Sequence, residues 1–415
     1  MANRSPSIFT IIAPGILLAA TGVGAGDLLT ATLAGSEVGL AVLWAAVAGA
    51  ILKWTLNEGL ARWQLATDST LLEGWVWKLG GWIQWVFLVY LILFTLPVGG
   101  ALASACGVAA SAFIPLSEDP DTSKIIWGIV HSSVGYLLVR YGSFRLFEIL
   151  MSACIGVMFV TVVLTVFLMD PDWPAIARGF IPSVPAGGSA WLLGVMGGVG
   201  GTVTLMSYGY WIREQGRQGR ENIRICRIDL AVGYVVTALF GIAVIIIGAR
   251  IEVLNQGATL ALEMADQLAR VVGDWGRVAF LMGFWGAVFS SLLGVWQSVP
   301  YLFADFMDLR GGLKPGVRRT HDLRGTKAYR AYLLFIATVP PIFLLVPVRS
   351  IQLAFGIVGA FFLPLMALTL LIMNNKRRWV GTDFVSHWGH NLILLLGFVF
   401  FAYVGIAGII ERFAQ

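Results

Sequence analysis

The stretch Thr21-Gly22-Val23-Gly24-Ala25-Gly26-Asp27 and its counterpart Gly194-Val195-Met196-Gly197-Gly198-Val199-Gly200-Gly201-Thr202 decide the fold. Each sits inside an apolar run of bilayer-crossing length, 9–33 and 191–212. Glycine costs a helix about 1 kcal/mol relative to alanine, so a cluster of glycines at mid-membrane marks either unwound backbone or very close helix packing. For one segment alone, small-residue packing is the simpler account. Two such segments at matching places in two halves of a chain instead point to a transporter's substrate site. Irregular backbone survives at that depth only where it is buried in protein or lines a cavity, and there its carbonyls and the half-helix ends can hold an ion.

Working outward, a membrane span needs roughly 20 mostly apolar residues. The sequence offers eleven such segments, near 9–33, 38–62, 82–113, 124–140, 147–169, 191–212, 228–249, 277–303, 331–347, 350–373 and 388–410. The glycine clusters fall in the first and the sixth. Five spans apart is the spacing of two inverted five-helix repeats, about 9–169 and 191–373, with helix 11 at 388–410 added. The expected fold class is an all-α integral membrane protein with 11 transmembrane helices, broken in helices 1 and 6. Residues 1–415 then form a single transmembrane transporter domain, whose longest polar stretches are 304–330 and the amphipathic region near 251–276.

Composition agrees. Hydrophobic residues make up 58% of the 415 and charged residues only 12%, with a mean hydropathy of +0.82. A soluble chain carries about 25% charged residues, and half that cannot cover a soluble surface of this size. An ordinary cytosolic enzyme, a disordered chain and a disulfide scaffold are excluded on that ground. Cys106, Cys154 and Cys226 show no CxxC spacing, which argues against a disulfide framework or a zinc site. The apolar run after Arg4 continues past Ala20 without a cleavage site, so no cleavable signal peptide is expected. HExxH, GxSxG and Walker-type GxxxxGK[ST] motifs are missing, which argues against an enzyme and against ATP-driven transport.

The basic residues orient the chain. With the N-terminus in the cytoplasm and eleven alternating spans, twenty of the 28 Lys and Arg fall on the inner side and seven on the outer, and Lys53 lies within a span. The positive-inside rule therefore favours a cytoplasmic N-terminus, an external C-terminus and placement in the cytoplasmic (inner) membrane. Topology also accounts for the net charge of +5, which leaves no nucleic-acid partner to invoke. The acidic outer loop Glu118-Asp119-Pro120-Asp121 reads as a solvated turn.

At this point the sequence resembles the Nramp family of divalent metal transporters, and the resemblance implies a LeuT-type fold. Ala13-Pro14-Gly15-Ile16-Leu17 resembles that family's opening to helix 1, and Ser36 to Arg62 its helix 2. Phe289-Ser290-Ser291 with Gly294 resembles helix 8. Leu363-Pro364 with Asn374-Asn375-Lys376-Arg377-Arg378 resembles helix 10 and the loop after it. The metal-site motifs differ. The family's DPGN positions hold Gly24, Ala25, Gly26 and Asp27, and its A-x-x-M-P-H positions hold Gly201-Thr202-Val203-Thr204-Leu205-Met206. Thr204 thus stands in place of the thioether ligand and Met206 in place of the proton-linked His. The Gln of helix 10 falls at Gly356, and the acids of helix 3 have no match in Leu96-Pro97-Val98-Gly99-Gly100-Ala101.

The remaining polar residues have two readings each. Asp27 is the only acid near the first break, and a charge at mid-bilayer costs on the order of 3 kcal/mol, so it needs a cavity or a partner. It either supplies a carboxylate to a hard ion, with Thr204 and the carbonyls near Gly24 and Gly201, or caps the second half of helix 1. Lys53 lies mid-span, with Asn57 at i+4. It either faces the site, as a partner of Asp27 or an attractor of an anionic solute, or snorkels and pairs with Glu58. Glu58 and Arg62 are spaced for an i, i+4 ion pair. Ser207, Tyr208 and Tyr210 either bond a substrate or satisfy one another in the core. Ser290 and Ser291 either offer hydroxyls to a sodium ion or pack helices. His131, His387 and His390 lack a third neighbouring ligand for a metal.

The expected function is secondary transport by alternating access of a divalent cation, a hard ion such as Mg2+ or Mn2+. The substrate site comprises Gly24, Ala25, Gly26, Asp27, Gly201, Thr204, Met206, Ser207, Lys53 and Asn57. No tightly bound cofactor is expected; H+ or Na+ are the candidate coupling ions, the bilayer is the partner, and a monomer suffices. A transporter of a small organic solute, anionic or zwitterionic, and a non-transporting membrane sensor are the alternatives.

Overall fold

The computed structural model describes residues 8–24, 26–142, 144–185, 187–198, 200–250, 273–312 and 322–414, with positions 262, 265, 266, 269 and 270 between them. Most of the region near 251–276 lies outside the described residues. Helices follow one another along the chain: α1 (Ile8–Gly22), a π turn over Gly26–Thr30, α2 (Ala31–Val38), α3 (Leu43–Thr67), α4 (Leu71–Leu79), α5 (Trp82–Phe113), α6 (Pro120–Tyr141), α7 (Phe144–Leu168) and α8 (Trp173–Gly179). The second half continues with α9 (Ser189–Gly198), α10 (Ser207–Glu214), α11 (Asn222–Gly248), α12 (Asp274–Arg310), α13 (Lys327–Thr338), α14 (Val348–Ala360), α15 (Phe362–Asn374), α16 (Arg377–Val380) and α17 (Trp388–Ala414). Among the described residues there is no strand.

Helix occupies each of the eleven segments expected from the sequence. Seven stretches among the described residues are long and apolar enough to cross a bilayer: Leu28–Thr67, Trp82–Phe113, Ser189–Glu214, Asn222–Gly248, Asp274–Arg310, Lys327–Leu345 and Val348–Asn374. Large apolar side chains such as Val157, Val160, Leu164, Leu395 and Leu396 stand on the outside of the bundle. That surface suits lipid tails, since it is built of large apolar side chains.

Local chemistry starts and stops the helices. Asp119 caps α6: its carboxylate accepts the amides of Asp121 (3.3 Å) and Thr122 (3.0 Å), with Pro120 at the first helical position. The Thr122 hydroxyl, 2.6 Å away, and that amide hold the Asp119 carboxyl below its ordinary pKa. The acidic turn thus has a structural job. Thr70 and Glu73 form a reciprocal capping box at the start of α4. At the centre, α1 and α9 each stop midway through the bundle, and α3, α11, α12 and α14 pack around the two stops.

Candidate functional site

The first break follows Gly22, the last residue of α1. Val23 still donates to Ala19 (2.6 Å), after which the chain leaves the α-helix and re-enters as the π turn, where Leu28 donates to Gly24 (2.8 Å). Ala25 lies outside the described residues, and so does the side chain of Asp27; the backbone of Gly26 and Asp27 belongs to the π turn. The second break is made by Gly200 and Gly201, both at φ +79°. A residue with a Cβ is strained there, and two in succession cannot continue a right-handed helix. The chain resumes as a 3-10 turn over Val203–Met206, then α10. Val199 lies outside the described residues.

The breaks touch backbone to backbone. A Cβ added to Gly22 would stand 2.5 Å from the Gly200 carbonyl carbon and 2.8 Å from the Gly201 nitrogen. Helix α12 closes one side. The Ser291 hydroxyl donates to the Thr21 carbonyl (2.7 Å), a Cβ on Gly24 would collide with Ser291, and Ser290 donates to Ala287 (2.9 Å). Ser290 and Ser291 therefore carry hydrogen bonds of their own as well as packing the break. Helix α14 closes the other, where Gly356 lies against Gly194 and Gly197. Thr204 and Met206 are each 3% exposed, and Ser207 is buried with a hydroxyl that makes no hydrogen bond.

Lys53 enters from α3. Its side chain is fully buried, and its ammonium donates to the carbonyl of Gly197 at 3.0 Å. Gly197 is the penultimate residue of α9, so this carbonyl belongs to the negative end of a half-helix. One turn along α3, the Asn57 amide nitrogen donates to the Tyr234 hydroxyl of α11 at 2.7 Å, while Asn57 Oδ1, also buried, makes no hydrogen bond. Gly200 lies between these groups: a Cβ there would be 3.6 Å from Lys53 Cδ and 3.5 Å from a Tyr234 ring carbon. Lys53 thus faces the break, and Glu58 is engaged elsewhere.

A cluster of charge sits beyond the breaks at the end of the bundle formed by α10 and the start of α11. Asp229, fully buried, accepts from the Gly15 amide (2.6 Å), the Tyr208 hydroxyl (2.8 Å) and Arg217 (2.9 Å), so one carboxylate ties α1, α10 and α11 together. Asp305 of α12 accepts from Tyr210 (2.5 Å) and Thr70 (2.9 Å). Glu58 pairs with Arg62, as their spacing predicts, and with Arg227 (2.8 Å) and His390 (3.5 Å). Tyr208 and Tyr210 bond buried carboxylates here and not one another.

Asp229, Arg217 and Asp305 escape a search that starts from the glycines, although an acid inside an apolar run is itself a signal. Gln352 escapes it too. It lies one turn before Gly356, fully buried, with its amide nitrogen on Ala101 O (2.8 Å) and its Oε1 without a partner. His131 is held by Trp127 and Trp285 (2.8 Å each), and among the described residues no three His, Cys, Asp or Glu cluster as a metal site.

Residues 15–411 match the family described as "Nramp: Natural resistance-associated macrophage protein-like". The chain is 24% identical over 258 residues to a divalent metal cation transporter, MntH, of Listeria innocua, covering 58% of this chain and 55% of that one. The chain thus spans about half to two thirds of the curated relatives it matches first, 66% of an uncharacterised Pasteurella multocida protein among them. Its structure superposes on a histidine-to-alanine variant of the Eremococcus coleocola manganese transporter with a TM-score of 0.75 at 16% identity, covering 100% of this chain and 89% of that one. MhsT in complex with L-phenylalanine superposes with a TM-score of 0.59 at 15% identity, over 98% of this chain and 99% of that one, which shows the LeuT-type fold. With one family covering nearly the whole length and the helix breaks set in that fold, the chain belongs to the Nramp family of integral membrane proteins, whose members are transporters and not enzymes.

Proposed function

We propose that the chain is a secondary active transporter that moves a divalent metal cation by alternating access, with a hard, partly hydrated ion such as Mg2+ or Mn2+ as substrate. The observation that carries this reading is the contact of the two breaks at Gly22, Gly200 and Gly201, which sets unwound backbone from both halves of the chain against each other. Broken half-helices offer a cation the free carbonyls at the end of the first half and along the unwound backbone. The family and the relatives called divalent metal cation transporters support the substrate class.

In this reading Asp27, Thr204 and the backbone at Gly24 and Gly201 contact the ion. Ala25, Gly26, Met206 and Ser207 complete its surroundings, and Lys53 and Asn57 border it. A hydroxyl at 204 in place of sulfur favours oxygen-loving ions, and Mg2+ needs only one or two carboxylates when it keeps part of its water. With eleven spans, two inverted repeats and a cytoplasmic N-terminus, the Asp229–Arg217 cluster lies on the cytoplasmic side in this reading. There it closes one end of the path by tying α1 to α10 and α11. H+ or Na+ drives the cycle.

Uptake of Mn2+ and Mg2+ by the purified chain in liposomes tests the reading. Saturable uptake that is lost in Asp27→Ala is expected. No uptake of any divalent ion overturns it, and uptake of an organic solute instead moves the site to a different substrate class.

A further inference from the structure

We infer that Lys53 is a tethered stand-in for the transported cation: its ammonium holds the Gly197 carbonyl, and an incoming divalent ion must displace it toward Asn57. The inference rests on the proposed metal reading and adds a resident competitor to it.

Three observations converge. First, the ammonium is already bound as a cation would be. It lies 3.0 Å from a carbonyl at the negative end of α9, beside two glycines whose φ of +79° turns the chain out of the helix. A half-helix end at mid-membrane is where broken-helix transporters hold their ions. Second, no divalent ion can share that carbonyl with an ammonium, because the repulsion between two buried cations is strong. Glu58 does not offer Lys53 an alternative partner at this distance along α3, since Arg62 and Arg227 already engage its carboxylate.

Third, an alternative acceptor lies one helical turn along α3. Asn57 Oδ1 is buried and bonds nothing, while the other end of the same amide is pinned to Tyr234 at 2.7 Å. A native protein seldom leaves a buried acceptor unused, and the lysine's four-carbon stem can swing its head by one helical turn. Gly197 O holds the ammonium, and Asn57 Oδ1 offers it a further acceptor. Moving between them keeps the ammonium hydrogen-bonded while the helix-end carbonyl passes to the substrate. Such a residue weakens metal binding and so favours release, which a transporter needs as much as capture.

Isothermal titration of Mn2+ into the full-length chain in nanodiscs tests this. Lys53→Met should bind Mn2+ tighter by about tenfold or more, and Lys53→Arg should stay near the wild type. Asn57→Leu in a Tyr234→Phe background, which removes the second acceptor and the hydroxyl it would otherwise orphan but keeps the ammonium, should bind Mn2+ several-fold weaker than Tyr234→Phe alone, and it decides the matter if Lys53→Met does not fold. Equal or weaker binding in Lys53→Met, or unchanged binding when Asn57→Leu is added to Tyr234→Phe, overturns the stand-in and leaves the metal reading in place. No saturable Mn2+ binding by wild type and Lys53→Met alike overturns the metal reading, and the stand-in with it.

Discussion

The glycine breaks and the Asp229 cluster lie within the same helices and are held together by opposite means. At the breaks, Gly22 meets Gly200 and Gly201 with nothing but backbone between them. At the cluster, one buried carboxylate gathers an amide, a hydroxyl and a guanidinium from three parts of the chain. Backbone contact has one good geometry, and an added atom forces the two segments apart. A charge network can open and re-form, but each member is costly to leave alone. In the proposed transport cycle the difference divides the roles: the breaks serve as a fixed pivot, and the cluster as a closure that is either fully made or fully parted.

Removing one member of the cluster should have the largest effect on stability. Asp229→Ala leaves Arg217 buried without its carboxylate, and breaking a buried pair costs about 3–5 kcal/mol. Thermal unfolding in detergent should show a fall of that order. Adding Arg217→Leu should recover part of it, since the pair is coupled. If both single variants melt like the wild type, the cluster is no closure.

Gly22→Val should reverse the pattern. Overpacking costs about 1–3 kcal/mol, less than the loss of Asp229, yet the added methyls separate the two breaks. Ion uptake should therefore vanish while most of the melting temperature survives. A Gly22→Val chain that still transports would end the pivot reading.

The contrast also decides what the sequence could disclose. Apolar runs of the right length became helices, and the two glycine clusters became the two breaks, because both depend on neighbours in the chain. The Glu58–Arg62 pair was legible for the same reason, four residues on one helix face. Gly15 and Asp229 lie 214 positions apart, and Thr70 and Asp305 lie 235 apart. Nothing local in either sequence tells an acid which distant donor it will meet. Gln352 shows a third limit. Aligning helix 10 by the family's motif puts Gly356 at the critical place, whereas the buried amide sits one turn away, and only packing against α5 reveals it.

A smaller effect belongs to Thr70, which gives Asp305 one of its hydrogen bonds but is not charged. Thr70→Val removes that bond and the cap of α4, and should lower stability by about 1–2 kcal/mol, below the Asp229 variant. Uptake should persist, because the breaks are untouched. Loss of uptake as complete as in Gly22→Val would erase the division of labour between the two regions.

Asp119, at neither region, sets the floor of the scale. It caps α6 in full contact with solvent, so water and salt screen it and a substitution leaves no buried partner behind. Its hydrogen bonds depress its pKa in the folded chain. The stability they add is therefore present above the unfolded value near 4 and is lost as pH falls through the lower folded value. Asp119→Ala should shift the neutral-pH melting temperature least of the four variants. It should also flatten the small part of the acid-side decline that this carboxylate contributes, measured as melting temperature against pH. An Asp119→Ala loss as large as that of Asp229→Ala would mean that burial, which separates the two carboxylates, does not set their weight.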